Sequence, residues 1–235
     1  MHQLAQEKEW DNKTRTTVLD YLSSNADNTF LWVALVYENL QKVKPWNVLD
    51  RLNQFPPGLD PLYRRMMNQI DNFDDANLCK RILASTVVVY RPVTLKELTS
   101  LVDLPRSISY NLKWLAEIID LCGSFLTIRE GTIYFVHQSA KDYLLTLVFD
   151  TIFPSGKGDA HYDIFSRSLK AMSQTLQQDI YKLSLPGTSI DSAQALVQAA
   201  NLDPLVSLRY SCTYWVSHFQ EAYKGNSSYQ RDLTD

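Results

Sequence analysis

The residue best placed to do chemistry is His137. It lies in the run Gly123–Leu145, GSFLTIREGTIYFVHQSAKDYLL, where a strand hands over to a helix. An imidazole at such a junction can donate an N–H to an anionic ligand held by another part of a larger protein. It can equally serve the fold, hydrogen-bonded to nearby backbone. The other histidines offer less: His2 is terminal, and His161 and His218 are expected on polar faces of helices.

Several kinds of chemistry are missing. No G-x-x-x-x-G-K-[ST] phosphate loop occurs. Gly156-Lys157-Gly158 imitates part of one, but Thr151 stands where the leading glycine belongs, and Gly158 replaces the hydroxyl residue that would hold Mg²⁺. No apolar run ends in paired carboxylates. Asp74-Asp75 follows a polar stretch and reads as helix capping. Neither H-E-x-x-H nor G-x-S-x-G is present, and no Cys and His share metal-ligand spacing. The chain is therefore expected not to be an enzyme, with no cofactor or metal of its own. Cys79, Cys122 and Cys212 lie far apart without a C-x-x-C, which argues against a disulfide framework and a zinc site. Buried free thiols in a reducing compartment are expected.

Composition sets the frame. The 235 residues can bury a sizeable core, and 45% hydrophobic with 21% charged residues is ordinary for a soluble globular protein. The net charge of −3 gives no electrostatic argument for nucleic acid or an anionic membrane. The start, MHQLAQEKEW, has no apolar signal core, and the longest apolar run, Phe30–Tyr37, is too short to span a bilayer. A soluble, cytoplasmic chain is expected.

The elements that must hold His137 follow from spacing. Two apolar runs, Phe125–Arg129 and Thr132–Val136, flank Glu130-Gly131 and read as a β-hairpin. Ahead of them a helix is expected over Asp75–Tyr90, ending before Arg91-Pro92. Thr94-Leu95-Lys96-Glu97 fits a capping box opening a second helix. A third is expected over Ser109–Cys122, with Leu112, Leu115, Ala116, Ile119 and Cys122 on one face and Gly123 as left-handed cap. Three helices and a hairpin in this order make a winged helix-turn-helix.

The flanks read as helical. Val18, Leu19 and Leu22 mark a helix over Asn12–Ser23. The next, capped by Asn28 or Thr29, is apolar nearly all round from Phe30 to Val36 and is expected to be the buried centre of a small bundle. Val48, Leu49 and Leu52 face inward in a short helix, and Pro56-Pro57-Gly58 marks a boundary near residue 57. Leu59, Leu62, Tyr63, Met66 and Ile70 form the following stripe. Later helices carry Phe165, Leu169, Met172 and Leu176, then Asp191–Ala200, then Leu208, Cys212, Trp215 and Phe219, before a polar tail from Gly225. The fold class is mainly α: helical bundle segments flanking a winged helix-turn-helix with one hairpin.

A winged helix can bind DNA through its third helix. Here that helix carries Lys113 against Glu117 and Asp120, and the wing sets Arg129 beside Glu130. Such a surface lacks the cations that phosphate contacts need, so protein–protein packing is expected and nucleic acid is not.

Six phrases carry a family resemblance: NTFLWVALV, FPPGLDPLYRRM, VYRPVTLKELTSLVDLP, LCGSFLTIR, IYFVHQSAKDYLL and YSCTYWVSH. Together, and in this order over nearly the whole chain, they resemble fungal NACHT proteins of the vegetative-incompatibility and NOD-like receptor group, which are STAND signalling NTPases. The resemblance implies a region that follows the nucleotide-binding NACHT core and precedes C-terminal repeats. Residues 1–57 would be a first helical domain, 58–150 the winged helix with its connecting helix, and 151–235 the start of a second helical domain. Phe135 to Leu144 matches the family pattern F-x-H-x-S-x-x-[DE]-[FY]-L position by position. That match implies that His137 touches the β-phosphate of ADP bound to the NACHT core. ADP or ATP with Mg would belong to the intact parent, whose expected partners are its own core, its repeats and further copies of itself. The proline of the family's G-L-P-L motif is absent from Thr29-Phe30-Leu31-Trp32. The rival reading is a stand-alone winged-helix adaptor or transcription-related protein.

Overall fold

Apolar residues at helical spacing build most of the chain. The computed structural model describes residues 2–26, 29–181, 189, 191 and 203–224, and is mainly helical with one small antiparallel sheet. It divides into two units, residues 1–74 and 75–235.

The first unit contains α1 (His2–Glu7), α2 (Asn12–Asn25), α3 (Phe30–Gln41), α4 (Val48–Leu52) and α5 (Leu59–Asp71). Asp11 caps α2 by accepting from the Thr14 amide at 2.7 Å. Val18, Leu22, Trp32, Leu35, Leu40, Leu52, Leu62, Tyr63 and Ile70 form the core. Pro56-Pro57-Gly58 lies inside this unit. It is fastened by the Trp32 indole N–H, which donates to the Pro56 carbonyl at 2.9 Å, and by the Tyr21 hydroxyl, which donates to the Phe55 carbonyl at 2.6 Å. The units part instead between Asp74 and Asp75. The expectation that α3 is buried all round is corrected. Trp32, Leu35, Val36 and Leu40 are buried, but Phe30 is 94% exposed and Ala34 is exposed, because neighbours cover only one side. Leu49 is likewise exposed beside buried Val48.

The second unit opens with α6 (Ala76–Val88), β1 (Val93–Thr94) and α7 (Leu95–Leu101). Both halves of the expected capping box form: the Glu97 amide donates to the Thr94 hydroxyl at 3.1 Å, and the Thr94 amide donates to the Glu97 carboxylate at 2.9 Å. Glu97 is buried and takes two further bonds from Arg91, at 3.0 and 2.6 Å. Asp75 starts α6 but makes no side-chain capping bond. The expected third helix arrives as α8 (Arg106–Ser109) and α9 (Leu112–Leu121), with Asn111 capping α9 through the Lys113 and Trp114 amides. Gly123 stops it with φ +68°, as a left-handed cap requires.

Strands β2 (Leu126–Arg129) and β3 (Thr132–Phe135) form the hairpin. Glu130 and Gly131 both take positive φ, +50° and +74°, the geometry of a primed turn. A strand not expected from the sequence, β1, pairs antiparallel with β3 (Val93 with Ile133, Thr94 with Thr132) and gives the strand order β1-β3-β2. Two residues are too few to show a strand pattern. Beneath the sheet lie Ile82, Leu83, Leu98, Leu115, Ile119, Phe125, Ile133 and Leu144, all buried.

Next come α10 (Gln138–Thr146), α11 (Phe149–Ile152), α12 (Lys157–Thr175) and α13 (Arg209–Lys224). Helices α12 and α13 pack in opposite directions, with Phe165 against Trp215 and Phe219. Their seam differs from the expected one. Leu169, Leu176 and Cys212 are exposed, while His161, Ile164 and Ser168 of α12 meet Tyr210, Ser211, His218 and Ala222 of α13. The helix expected at Asp191–Ala200 and the tail from Gly225 fall outside the described residues, apart from Asp191 itself.

Candidate functional site

His137 is the N-cap of α10, held in extended backbone at φ −154° and ψ 156°. The strand delivers it and the helix fixes it. Phe135 pairs with Leu126, the Val136 amide donates to the Phe125 carbonyl at 3.0 Å, and α10 is anchored through buried Ala140, Tyr143 and Leu144. The imidazole Nδ1 accepts from the Ser139 amide at 3.1 Å and lies 2.9 Å from the Ser139 hydroxyl. A ring nitrogen accepting from an amide cannot carry a proton, so in the neutral ring the proton sits on Nε2. The side chain is exposed, and Nε2–H makes no bond within the chain among the described residues. His137 therefore satisfies the backbone with one nitrogen and presents a free donor with the other. That donor stands at a helix N-terminus, where partial positive charge favours anions.

The prediction for His161 and His218 is corrected. Neither is on a polar face: they are 4% and 0% exposed. Their Nδ1 atoms lie 2.9 Å apart, and His218 Nε2 lies 2.7 Å from the Tyr210 hydroxyl, which in turn accepts from the Tyr90 amide at 3.1 Å. Tyr90 packs its ring on both imidazoles and donates its hydroxyl to the Ser217 carbonyl at 3.2 Å. Burial lowers the His161 pKa to about 4, helped by Lys157. Burial, then His161 itself, lowers that of His218 to about 3. A spacing signal was available. His161 and Ser168, and Ser211 and His218, each lie about two helical turns apart, so an antiparallel pair sets histidine level with histidine and serine with serine.

Other groups define less. A cleft of about 1000 Å³ in the second unit is lined by Lys80, Arg81 and Arg167 opposite Asp103, Asp159 and Asp163. Its charges are largely turned on each other, with Arg81 and Arg167 both paired to Asp103 at 3.2 and 3.1 Å. Cys79 and Cys122 are buried as expected, whereas Cys212 is exposed. The Cys79 contact and burial push the Cys122 thiol up, leaving it protonated and unreactive. Among the described residues no group of three or more His, Cys, Asp or Glu is placed to hold a metal ion, and no helix is long and apolar enough to cross a membrane.

On the face of α8 and α9, Tyr110 is 89% exposed and Trp114 is half-exposed. Arg106 and Lys113 stand there with Glu117 and Asp120, all exposed.

Comparison with known proteins finds one informative match. The chain is 47% identical, over 240 aligned residues and 96% of its length, to the vegetative incompatibility protein HET-E-1 of Podospora anserina. It spans 17% of the length of that relative. The resemblance carried by the six phrases is thereby borne out. No family model matches the chain, and no solved structure matches it.

Proposed function

We propose that this chain is a regulatory region of a fungal NACHT-type signalling NTPase of the vegetative-incompatibility kind. It would link the nucleotide state of a NACHT core outside this chain to self-association. The first unit, residues 1–74, acts as a first helical domain that carries the connecting helix α5, residues 75–150 as a winged helix, and residues 151–235 as the start of a second helical domain. The intact parent holds ADP or ATP with Mg and resides in the cytoplasm, and this region has no catalytic role of its own. The likeness to HET-E-1 supports the family.

The observation that carries the mechanism is the division of labour at His137. With Nδ1 committed to the Ser139 amide, the Nε2 proton is aimed outward at the head of α10. In a closed parent that donor meets the β-phosphate of ADP. The contact exists only in the closed form, so ADP favours that form by its differential affinity.

The test is His137→Ala in the intact parent. Losing one charge-assisted hydrogen bond of about 1.5–3 kcal/mol shifts the closed–open balance roughly 10- to 150-fold toward open. Self-association without stimulus is the expected readout, and unchanged basal self-association refutes the role. The isolated chain, lacking a phosphate loop, is expected to show no micromolar ADP binding by calorimetry, because one such bond supports only very weak affinity.

A further inference from the structure

The buried histidine pair has no part in the nucleotide reading, and its geometry makes a demand of its own. Four groups form one chain of hydrogen bonds: the Tyr90 amide, the Tyr210 hydroxyl, His218 and His161. One arrangement gives every proton that lies between these groups an acceptor. Tyr90 N–H donates to the Tyr210 oxygen. Tyr210 O–H donates to His218 Nε2. His218 Nδ1–H donates to His161 Nδ1, whose own proton is on Nε2. The reverse order leaves the Tyr210 hydroxyl proton without an acceptor. In either order the space between the two Nδ1 atoms holds a single proton.

Protonating either imidazole breaks this arrangement. A cationic His161 donates to His218 Nδ1 across 2.9 Å and so forces the His218 proton onto Nε2, against the Tyr210 oxygen, which leaves the Tyr210 hydroxyl proton without an acceptor. A cationic His218 donates its Nε2–H to the Tyr210 oxygen across 2.7 Å, and the Tyr210 hydroxyl proton again loses its acceptor. Nearby groups offset the new charge only in part, since Glu221 favours it at both rings and burial outweighs that. On α12 Lys157, of the same sign, opposes a charge on His161. On α13 the Glu221 carboxylate is paired with Lys224 at 2.7 Å. Ahead of β1, Arg91 lies over the Tyr210 ring at 5.2 Å and is bound to Glu97 of α7. Among the described residues no carboxylate is hydrogen-bonded to either imidazole.

We propose that His161, His218, Tyr210 and Tyr90 form an acid-sensitive latch that holds α13 against α12 and the Tyr90–Arg91 turn, and releases it in mildly acidic solution. The sign follows from linkage. Both imidazoles are held neutral in the latched state, with pKa values of about 4 and about 3, and each returns toward 6.5 once exposed. The released state therefore binds more protons between those values, and latching weakens progressively as pH falls below about 6.5. From pH 7 to pH 5 each histidine shifts the latch equilibrium about 20-fold, and the pair several-hundred-fold. The latch is local because α13 packs on α12 and α7, whereas α9 and the hairpin pack on each other and have their own core in Leu115, Ile119 and Phe125.

Hydrogen–deuterium exchange on the full chain at pH 7 and pH 5, corrected for intrinsic rates, reads the latch directly. Peptides from residues 209–224 are expected to lose protection by at least about tenfold at pH 5 while residues 112–121 of α9 keep theirs. A His161→Gln, His218→Gln double variant, which cannot titrate, is expected to protect α13 equally at both pH values. Should that variant not fold, imidazole nitrogen shifts of the unaltered chain serve instead. Both rings are expected to stay neutral at pH 6 and to protonate together with the loss of ordered α13 signals. The proposal is overturned by equal protection of α13 at both pH values, by α9 opening together with α13, by a pH response that survives in the double variant, or by either imidazole protonating near pH 6.5 with α13 still in place.

Discussion

At His137 the two nitrogens of one ring do separate work, and substitutions can separate them. Asp is a strong N-cap, so His137→Asp retains a bond to the α10 amides. It also places a negative charge where the phosphate of the proposed ligand would sit. Its thermal midpoint is expected to match or exceed that of the unaltered chain, while an intact parent carrying it self-associates without stimulus. His137→Ala loses the cap and is expected to cost about 0.5–2 kcal/mol. Leu115→Ala, in the core beneath the sheet, is expected to cost about 2–5 kcal/mol through a cavity. Differential scanning calorimetry ranks the three, and a His137→Ala loss as large as that of Leu115→Ala would make the residue a core element instead. The position of His137 was legible because strand alternation stops there and a helical pattern begins. Its tautomer was not, since it depends on where the Ser139 amide points.

Among the elements, α7 and the hairpin carry the sharpest expectations. Glu97 closes a capping box and a two-bond pair with Arg91 while buried, so removing it takes a helix cap and strands a cation. Glu97→Ala is expected to cost at least about 3 kcal/mol in denaturant unfolding at pH 7. Burial alone would raise the Glu97 pKa, but Arg91 and the Thr94 amide outweigh it and hold it below the usual value. Its contribution is therefore present at neutral pH and fades only as pH falls below about 4.5, under the window of the histidine latch. In the hairpin, Glu130 sits at φ +50°, a conformation Asn tolerates better. Glu130→Asn is expected to raise stability by up to about 1 kcal/mol, and Gly131→Ala to lower it by a similar amount. These elements were readable because local spacing determines them. The α12–α13 seam was not. Its apolar stripe through Phe165 and Leu169 competes with a polar stripe through His161 and Ser168. The polar stripe is buried because His218 on the other helix partners its histidine, and such a partner is invisible in either helix alone.

For the whole molecule, charge and division into units matter most. A net charge of −3 and the offset of Arg106 and Lys113 by Glu117 and Asp120 leave no cationic face on α8 and α9. No duplex DNA is expected to be retained in a gel shift at low salt. A shifted band that vanishes steeply with added salt would revive the transcription-related reading. The two units each have a core, and exposed residues 72–75 join them. Limited proteolysis is expected to cut there before it cuts within α5 or α6. The sequence pointed to a division at Pro56-Pro57-Gly58 because proline and glycine are strong local punctuation. Local punctuation does not reveal that Trp32 and Tyr21 bind the carbonyls of that turn and keep α5 with the first unit.

The histidine pair also constrains how such a sequence can change over generations. Losing His218 leaves Tyr210 and His161 buried without their shared partner, and losing His161 leaves a proton on His218 with nowhere to go. Each single replacement passes through a strained intermediate, whereas an exchange of both for well-packed apolar residues does not. Positions 161 and 218 are thus expected to covary among related chains, with one-sided replacements selected against. An alignment deep enough to compare the two columns would reveal the helix pairing without any structure.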